Sequence, residues 1–238
     1  MNQQGRGVVV TGAAGDLGRA LCTGFLEDGF TVYAADIAEV DAAARIVPMR
    51  VDVTDRGQVF ELAQRASRES HLEAWVNAAG IFTACPVVDA DEAEWQRILA
   101  VNLTGTWHGC AGALGALARA GGGRIVNVGS ISGQVGGVGA HPAYGASKAG
   151  VHALTKTYAL EGARHGVLCN AVAPGLIEGS MSSEFNERQR DRMTQANPLR
   201  RLAHMDEIAR VIRFLASASN TYMNGAIVPV NGGAYMPA

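Results

Sequence analysis

The sequence predicts a single-domain, doubly wound α/β fold: a parallel sheet of about seven strands with helices on both faces. Three observations carry this expectation. Short β-branched runs alternate with longer amphipathic stretches along the whole chain, the rhythm of strand–helix units feeding one parallel sheet. Several of the runs, such as Val8-Val9-Val10, are apolar at consecutive positions, so both faces of the strand must be covered. The 238 residues show no linker, repeat or low-complexity tract, which fits one large domain spanning residues 1–238.

Taken in order, the predicted strands are 7–11, 31–35, 47–51, 74–77, 124–128, 168–172 and 226–230. Helical patterns occupy 17–28, 59–70, 92–118, 143–164 and 206–216. Only residues 37–46 separate the second and third strands, room for about two helical turns. The polar stretch 179–198 follows the sixth strand and breaks the rhythm. An insertion at a strand's carboxyl end is typically functional, so this stretch is expected to be a lid over a substrate.

Composition removes several functions. A formal charge of −2 leaves no basic field to hold nucleic acid. The amino-terminal Val8-Val9-Val10 is too short for a leader or a membrane span, so a cytoplasmic protein is expected. The four cysteines, Cys22, Cys85, Cys110 and Cys169, are widely spaced, which predicts free thiols and no metal site.

Two motifs carry chemistry. The first strand closes on Thr11-Gly12-Ala13-Ala14-Gly15-Asp16-Leu17-Gly18, with Asp36 at the end of the second strand. Glycines at a strand-to-helix turn let the backbone approach a pyrophosphate, and the helix amino terminus supplies amides and a dipole. The second motif is Tyr144 four residues before Lys148, one of only two lysines beside eighteen arginines. Positions i and i+4 share a helix face. An ammonium about 4 Å from a phenol, at an effective dielectric of ~20, contributes about 4 kcal/mol in favour of the phenolate. That draws the phenol toward neutral pH, where a general acid/base works.

Together with further motifs in a fixed order, these resemble the short-chain dehydrogenase/reductase family, in its branch of about 250 residues. The ordered set is the glycine turn, Asp52-Val53, Asn77-Ala78-Ala79-Gly80, Asn102 in Val101-Asn102-Leu103, Ser130 in Gly129-Ser130-Ile131-Ser132-Gly133, Tyr144-x-x-x-Lys148, Pro174-Gly175 and Asn231-Gly232-Gly233. The resemblance implies a Rossmann-like fold and a ketone/alcohol oxidoreductase. Tyr144 would exchange the proton, Lys148 would lower its pKa and hold the nicotinamide ribose, Ser130 would bond the substrate oxygen, and Asn102 would hold a water linking Lys148 to solvent. Ser132 is a rival for the Ser130 role, and the spacing from Ser130 to Tyr144 predicts a bulge at 136–140. The family also implies a homotetramer packed through the helices at 92–118 and 143–164 and the last strand.

Implied cofactor contacts are Gly12, Gly15, Asp16, Leu17, Gly18, Asp36, Asp52, Val53, Asn77, Ala78, Ala79, Gly80, Tyr144, Lys148, Pro174, Gly175 and Ile177. Asp36, followed by Ile37-Ala38-Glu39 with no adjacent base, favours NAD over NADP by accepting from a ribose hydroxyl and repelling a 2′-phosphate. Substrate candidates are Ser130, Ser132, Gln134, Val135, His141, Tyr144, Leu176, Met181 and Phe185. This largely apolar set suits a small ketone or secondary alcohol. The tail at 230–236 resembles that of 3-oxoacyl-(acyl-carrier-protein) reductases, which makes acyl-thioester reduction the alternative. Three positions depart from the family pattern. Asp16 replaces the middle glycine and is expected to turn away as a helix cap, Ala78 replaces an asparagine, and Pro174-Gly175 lacks the following threonine, for which Ser180 is the substitute.

Overall fold

All seven strands form and join one sheet. In a computed structural model that describes residues 5–137 and 139–237, they are β1 (Arg6–Thr11), β2 (Thr31–Asp36), β3 (Ile46–Arg50), β4 (His71–Asn77), β5 (Gly123–Val128), β6 (Val167–Pro174) and β7 (Ile227–Val230). Every neighbouring pair is parallel, in the order β3-β2-β1-β4-β5-β6-β7. The chain builds outward from β1 to β3, then returns to place β4 on the other side of β1. In such sheets ligands bind beyond the carboxyl ends of the strands at this reversal.

Helices cover both faces. Val8 and Val10 point into one core with Leu21 and Phe25 of α1 (Asp16–Glu27) and Ile208 and Ile212 of α9 (Met205–Ala216). Val9, between them, points into the second core with Leu62 of α2 (Arg56–Glu69), Leu117 of α4 (Gly105–Arg119) and Ala159 of α6 (Pro142–Ala163). Consecutive valines therefore all lie in dry interior, because alternate strand positions face opposite sides and both sides carry helices. Prolines occupy both edge strands, Pro48 in β3 and Pro229 in β7.

The structure departs from the sequence expectations in three places. Residues 37–45 form no helix; the short link holds only an isolated bridge from Ala43 to Ile46, because crossing between parallel strands uses up the chain. The helix expected over 92–118 divides into α3 (Glu92–Leu99), a π-helical turn at Ala100–Thr104, and α4. Stretch 179–198 is largely helical, with the single turn α7 (Ser180–Ser183) and α8 (Glu187–Ala196), whose start is fixed by a reciprocal Asn186–Gln189 cap. One more short helix, α5 (Ser132–Val135), follows β5.

A chain of polar side chains runs through the second core. Trp75 Nε1 donates to Asn77 Oδ1 at 2.8 Å, and Asn77 Nδ2 donates to Asn127 Oδ1 at 2.8 Å. Asn127 Nδ2 donates to Thr155 Oγ1 at 2.9 Å, tying β5 to α6. Asn77 and Asn127 are register partners at the carboxyl ends of β4 and β5. Replacing Asn127 with Ala orphans a buried donor on Asn77 and leaves Thr155 with one partner fewer. We expect a loss of roughly 1–3 kcal/mol for the stranded group, read in urea as a lower midpoint at unchanged slope; an unchanged midpoint removes this network from the account of stability.

Candidate active site

The loops at the carboxyl edge bring most of the sequence-predicted residues together. The first is the glycine turn. Gly12 has φ +72°, and a Cβ there would lie 2.7 Å from the Ala79 backbone, so no side chain fits where the β1 and β4 turns meet. Thr11 Oγ1 accepts from Ala79 N at 3.3 Å and holds the two turns in contact. Asp36 accepts from Ala14 N and from Ala38 N, both at 3.0 Å, which fixes the turn relative to the end of β2. Gly15 precedes the first helical residue and makes no side-chain cap. The result is a bare backbone turn at a helix amino terminus with a carboxylate beside it. These residues fit a dinucleotide, whose diphosphate would face the α1 amides and whose ribose would face Asp36.

Other implied cofactor contacts make protein bonds of their own. Asn77 turns its side chain into the core toward α4 and steadies the sheet; only the backbone that follows it borders the turn. Asp52 accepts from the Thr54 amide at 2.9 Å and hydroxyl at 2.7 Å, closing its own loop, while Val53 O meets His108 Nδ1 at 3.0 Å. Pro174 O accepts from Ile131 N at 2.9 Å, and Gly175 N donates to Val230 O at 3.1 Å, so the ends of β5, β6 and β7 are stitched at one level. Ala78 and Ile177 pack against the first core.

Helix α6 presents Tyr144 and Lys148 to the end of β5. The helix is capped by His141, whose Nδ1 accepts from Ala143 N at 3.3 Å and whose Nε2 donates to Asp91 O at 3.2 Å. That residue is 2 % exposed. With both nitrogens committed, His141 sets the start of the helix and does not face substrate, contrary to the sequence expectation. The loop before it is joined to residues 83–85 by an antiparallel bridge between Ala84 and Ala140 and by His141 N donating to Thr83 O, so the extra residue between Ser130 and Tyr144 is absorbed there; Val138 lies outside the described residues.

Ser130 is 7 % exposed; its hydroxyl accepts from Ser132 N at 3.1 Å and hydrogen-bonds the Tyr144 phenol. Ser130 is thus the serine that meets Tyr144, and Ser132 supplies its backbone to the next turn. Lys148, 5 % exposed, donates to Val128 O at 2.8 Å and lies 5.8 Å from the centre of the Tyr144 ring. Burial lowers the Lys148 ammonium from its ordinary 10.5 to about 8. Burial also raises the Tyr144 phenol, opposed by the Ser130 hydrogen bond. Burial is the largest influence on the phenol here, and the Lys148 ammonium stands 5.8 Å from the ring centre with its hydrogen bond on the Val128 carbonyl.

Asn102 is fully buried in the π-helical turn. Its Oδ1 accepts from Ile81 N at 2.8 Å, and its Nδ2 donates to Ile81 O at 2.9 Å and to Ser147 Oγ at 3.2 Å. Its own carbonyl accepts from Thr106 Oγ1 at 2.7 Å. The side chain braces the loop after β4 against α6, and its Oδ1 keeps a second lone pair.

Two residues were not singled out in the sequence. Phe82 meets Tyr144 edge-on at 5.0 Å and meets Phe185 at 5.1 Å. An aromatic directly after Asn77-Ala78-Ala79-Gly80-Ile81 was the available signal. Glu184 Oε2 accepts from Ala84 N at 2.8 Å, pinning stretch 179–198 across the loop after β4. Phe185 is 6 % exposed beneath that pin, while Leu176 is half-buried and Met181 is exposed. Gln134 turns a buried Oε1 inward without a protein partner, and Val135 is exposed. Two surface clefts, around His71 and Arg119 and around Gly122 and Arg124, lie at the opposite edge of the sheet and hold none of these residues. Among the described residues no three His, Cys, Asp or Glu side chains gather to bind a metal, and no helix is long and apolar enough to cross a membrane.

Comparison with known proteins agrees with this arrangement. Residues 12–235 match the family model described as enoyl-(acyl carrier protein) reductase. The chain is 34 % identical to the 3-oxoacyl-[acyl-carrier-protein] reductase FabG of Thermotoga maritima, over 98 % of this chain and 99 % of that one. It is 38 % identical to the cis-4-hydroxycyclohexanecarboxylate dehydrogenase of Sinomonas cyclohexanicum, over 96 % of each. Among solved structures, gox2181 superposes with a TM-score of 0.88 at 31 % identity, covering 98 % of this chain and 96 % of its own. ElxO with NADP bound gives 0.86 at 26 %, covering 97 % and 98 %. With the family model matched over residues 12–235 and relatives 34–38 % identical over nearly the whole chain, the chain belongs to the short-chain dehydrogenase/reductase family of nicotinamide-dependent oxidoreductases.

Proposed function

We propose that this protein interconverts a small, largely apolar secondary alcohol and its ketone using NAD(H), with Tyr144 as the acid/base. The observation that carries the reading is the cluster of the buried Ser130 and Lys148 with the half-buried Tyr144. The bound nicotinamide supplies or accepts the hydride. In the reducing direction negative charge develops on the substrate oxygen, and the Ser130 and Tyr144 hydroxyls are the donors for it. Burial keeps Tyr144 protonated, so the phenol is ready to pass its proton to that oxygen. Lys148, fixed by Val128 O, keeps a positive charge beside the phenolate that remains and is placed for the nicotinamide ribose. Phe82, Phe185 and Leu176 supply apolar walls, and Met181 borders them.

Asp36 supports NAD, since its carboxylate stands at the end of β2 and would repel a 2′-phosphate. A second reading, NADP-linked reduction of 3-oxoacyl thioesters, is favoured by Arg50. Arg50 is the register partner of Asp36 on β3, so both side chains leave the same face of the sheet. The Thermotoga maritima relative carries the name of such a reductase, and the ElxO structure contains NADP. Rates with both cofactors on a panel of ketones and acyl thioesters separate the readings. We expect a higher kcat/KM with NADH; the reverse order overturns the NAD assignment.

Replacing Tyr144 with Phe is expected to cut turnover by about 10²–10⁴-fold while NADH still binds, as measured by fluorescence titration. Near-parental turnover in that variant defeats the mechanism. The ammonium of Lys148 sets a pH limit. Below about 8 it is charged in the folded protein, and above about 8 it loses its proton. Ketone reduction, read as kcat/KM, should be level below that point and decline above it. For stability the sign is opposite. Between about pH 8 and 10.5 the unfolded chain holds a proton the folded chain has released, so the penalty for burying this charge is relieved as pH rises through that window. A profile with no alkaline limb near 8 rules out the need for the ammonium.

A further inference from the structure

Asp16 stands at the first helical position of α1, in the cofactor turn, yet its carboxylate reaches stretch 179–198. Its Oδ2 accepts from Ser180 N at 2.7 Å, across 164 positions of sequence. That bond, with the Ser180 side chain beside it, holds the Asp16 carboxyl below its ordinary range. Gly179 makes the approach possible. It has φ +145°, and a Cβ there would lie 2.7 Å from Asp16 Oδ2 and 2.7 Å from Met205 Cε. Ser182 and Ser183 donate to the Gly179 carbonyl at 2.8 and 3.1 Å and close the turn. A single helical turn such as Ser180–Ser183 does not persist by itself in water, so its amino-terminal amide needs this acceptor. At the far end, Glu184 pins the same stretch through Ala84 N, and Phe185 rests on Phe82.

The same carboxylate opposes the dinucleotide. As an acidic residue in the first turn of α1, Asp16 offsets part of the amino-terminal dipole that a diphosphate would otherwise use. We propose that Asp16 is a positioning residue that latches the substrate lid to the cofactor turn, presetting the lid at the expense of dinucleotide affinity. This rests on the nicotinamide dinucleotide binding at the α1 turn.

The test uses the full-length protein and three variants, Asp16→Asn, Asp16→Ala and Ser180→Pro, with two readouts: amide hydrogen exchange over 179–186, and the NADH dissociation constant by fluorescence titration. Asp16→Ala removes acceptor and charge. Lid amides should exchange about tenfold faster, the loss expected for one charge-assisted bond, and NADH should bind about two- to fivefold more tightly. Asp16→Asn keeps an acceptor oxygen, so NADH tightens while the lid stays close to parental. Ser180→Pro removes the donor and keeps the charge, so the lid loosens as it does in Asp16→Ala. Lid exchange that stays parental in both Asp16→Ala and Ser180→Pro overturns the latch. NADH binding that does not tighten in Asp16→Asn overturns the opposition to the cofactor. Failure of NADH to bind the parent protein indicts the cofactor assignment instead, and the exchange measurements still decide whether the latch exists.

Discussion

An ammonium enclosed in a protein interior has to find oxygen acceptors or give up its proton. Lys148 finds the Val128 carbonyl at 2.8 Å, and much of the site follows from that bond. It ties α6 to the last residue of β5, one step before the Gly129–Ser130 turn. With that end of the helix fixed, Tyr144, one turn earlier, stands over Ser130. Other contacts keep the arrangement from sliding: Asn102 holds the loop after β4 to Ser147, and His141 caps the helix through Asp91. Remove the carbonyl from the lysine's reach and both the charge and the register of the helix lose their reason.

The strand–helix rhythm was legible because parallel strands wear their burial openly. Val8-Val9-Val10 can only be a strand covered on both sides, and the glycines after it mark the turn. Tyr144 and Lys148 were legible from their types and spacing, and Ser130 from the family motif around it. What the chain concealed is long-range. Nothing local shows that the Asn102 amide bonds the Ile81 peptide, or that His141 spends both nitrogens on a helix start. The π-helical turn was also invisible, since Gly105 and its neighbours read as unbroken helix. Proline and glycine punctuation reports backbone shape, whereas the partner of a buried amide depends on which loop arrives opposite it.

The direction of the Tyr144 shift is the instructive case. Pairing a phenol with an ammonium at i and i+4 predicts a more acidic phenol, by Coulomb attraction alone. Within the fold Phe82 packs edge-on against the ring, and desolvation pushes the phenol the other way. Sequence spacing supplies neighbours, but only the packed structure supplies the dielectric in which they interact.

Both rims of the sheet end in a strand that contains a proline, Pro48 in β3 and Pro229 in β7. Each proline removes an amide that an eighth strand would need, so the sheet is closed to extension from either side. Pro48 and Pro229 thereby guard the nascent molecule against edge-to-edge stacking into fibrils.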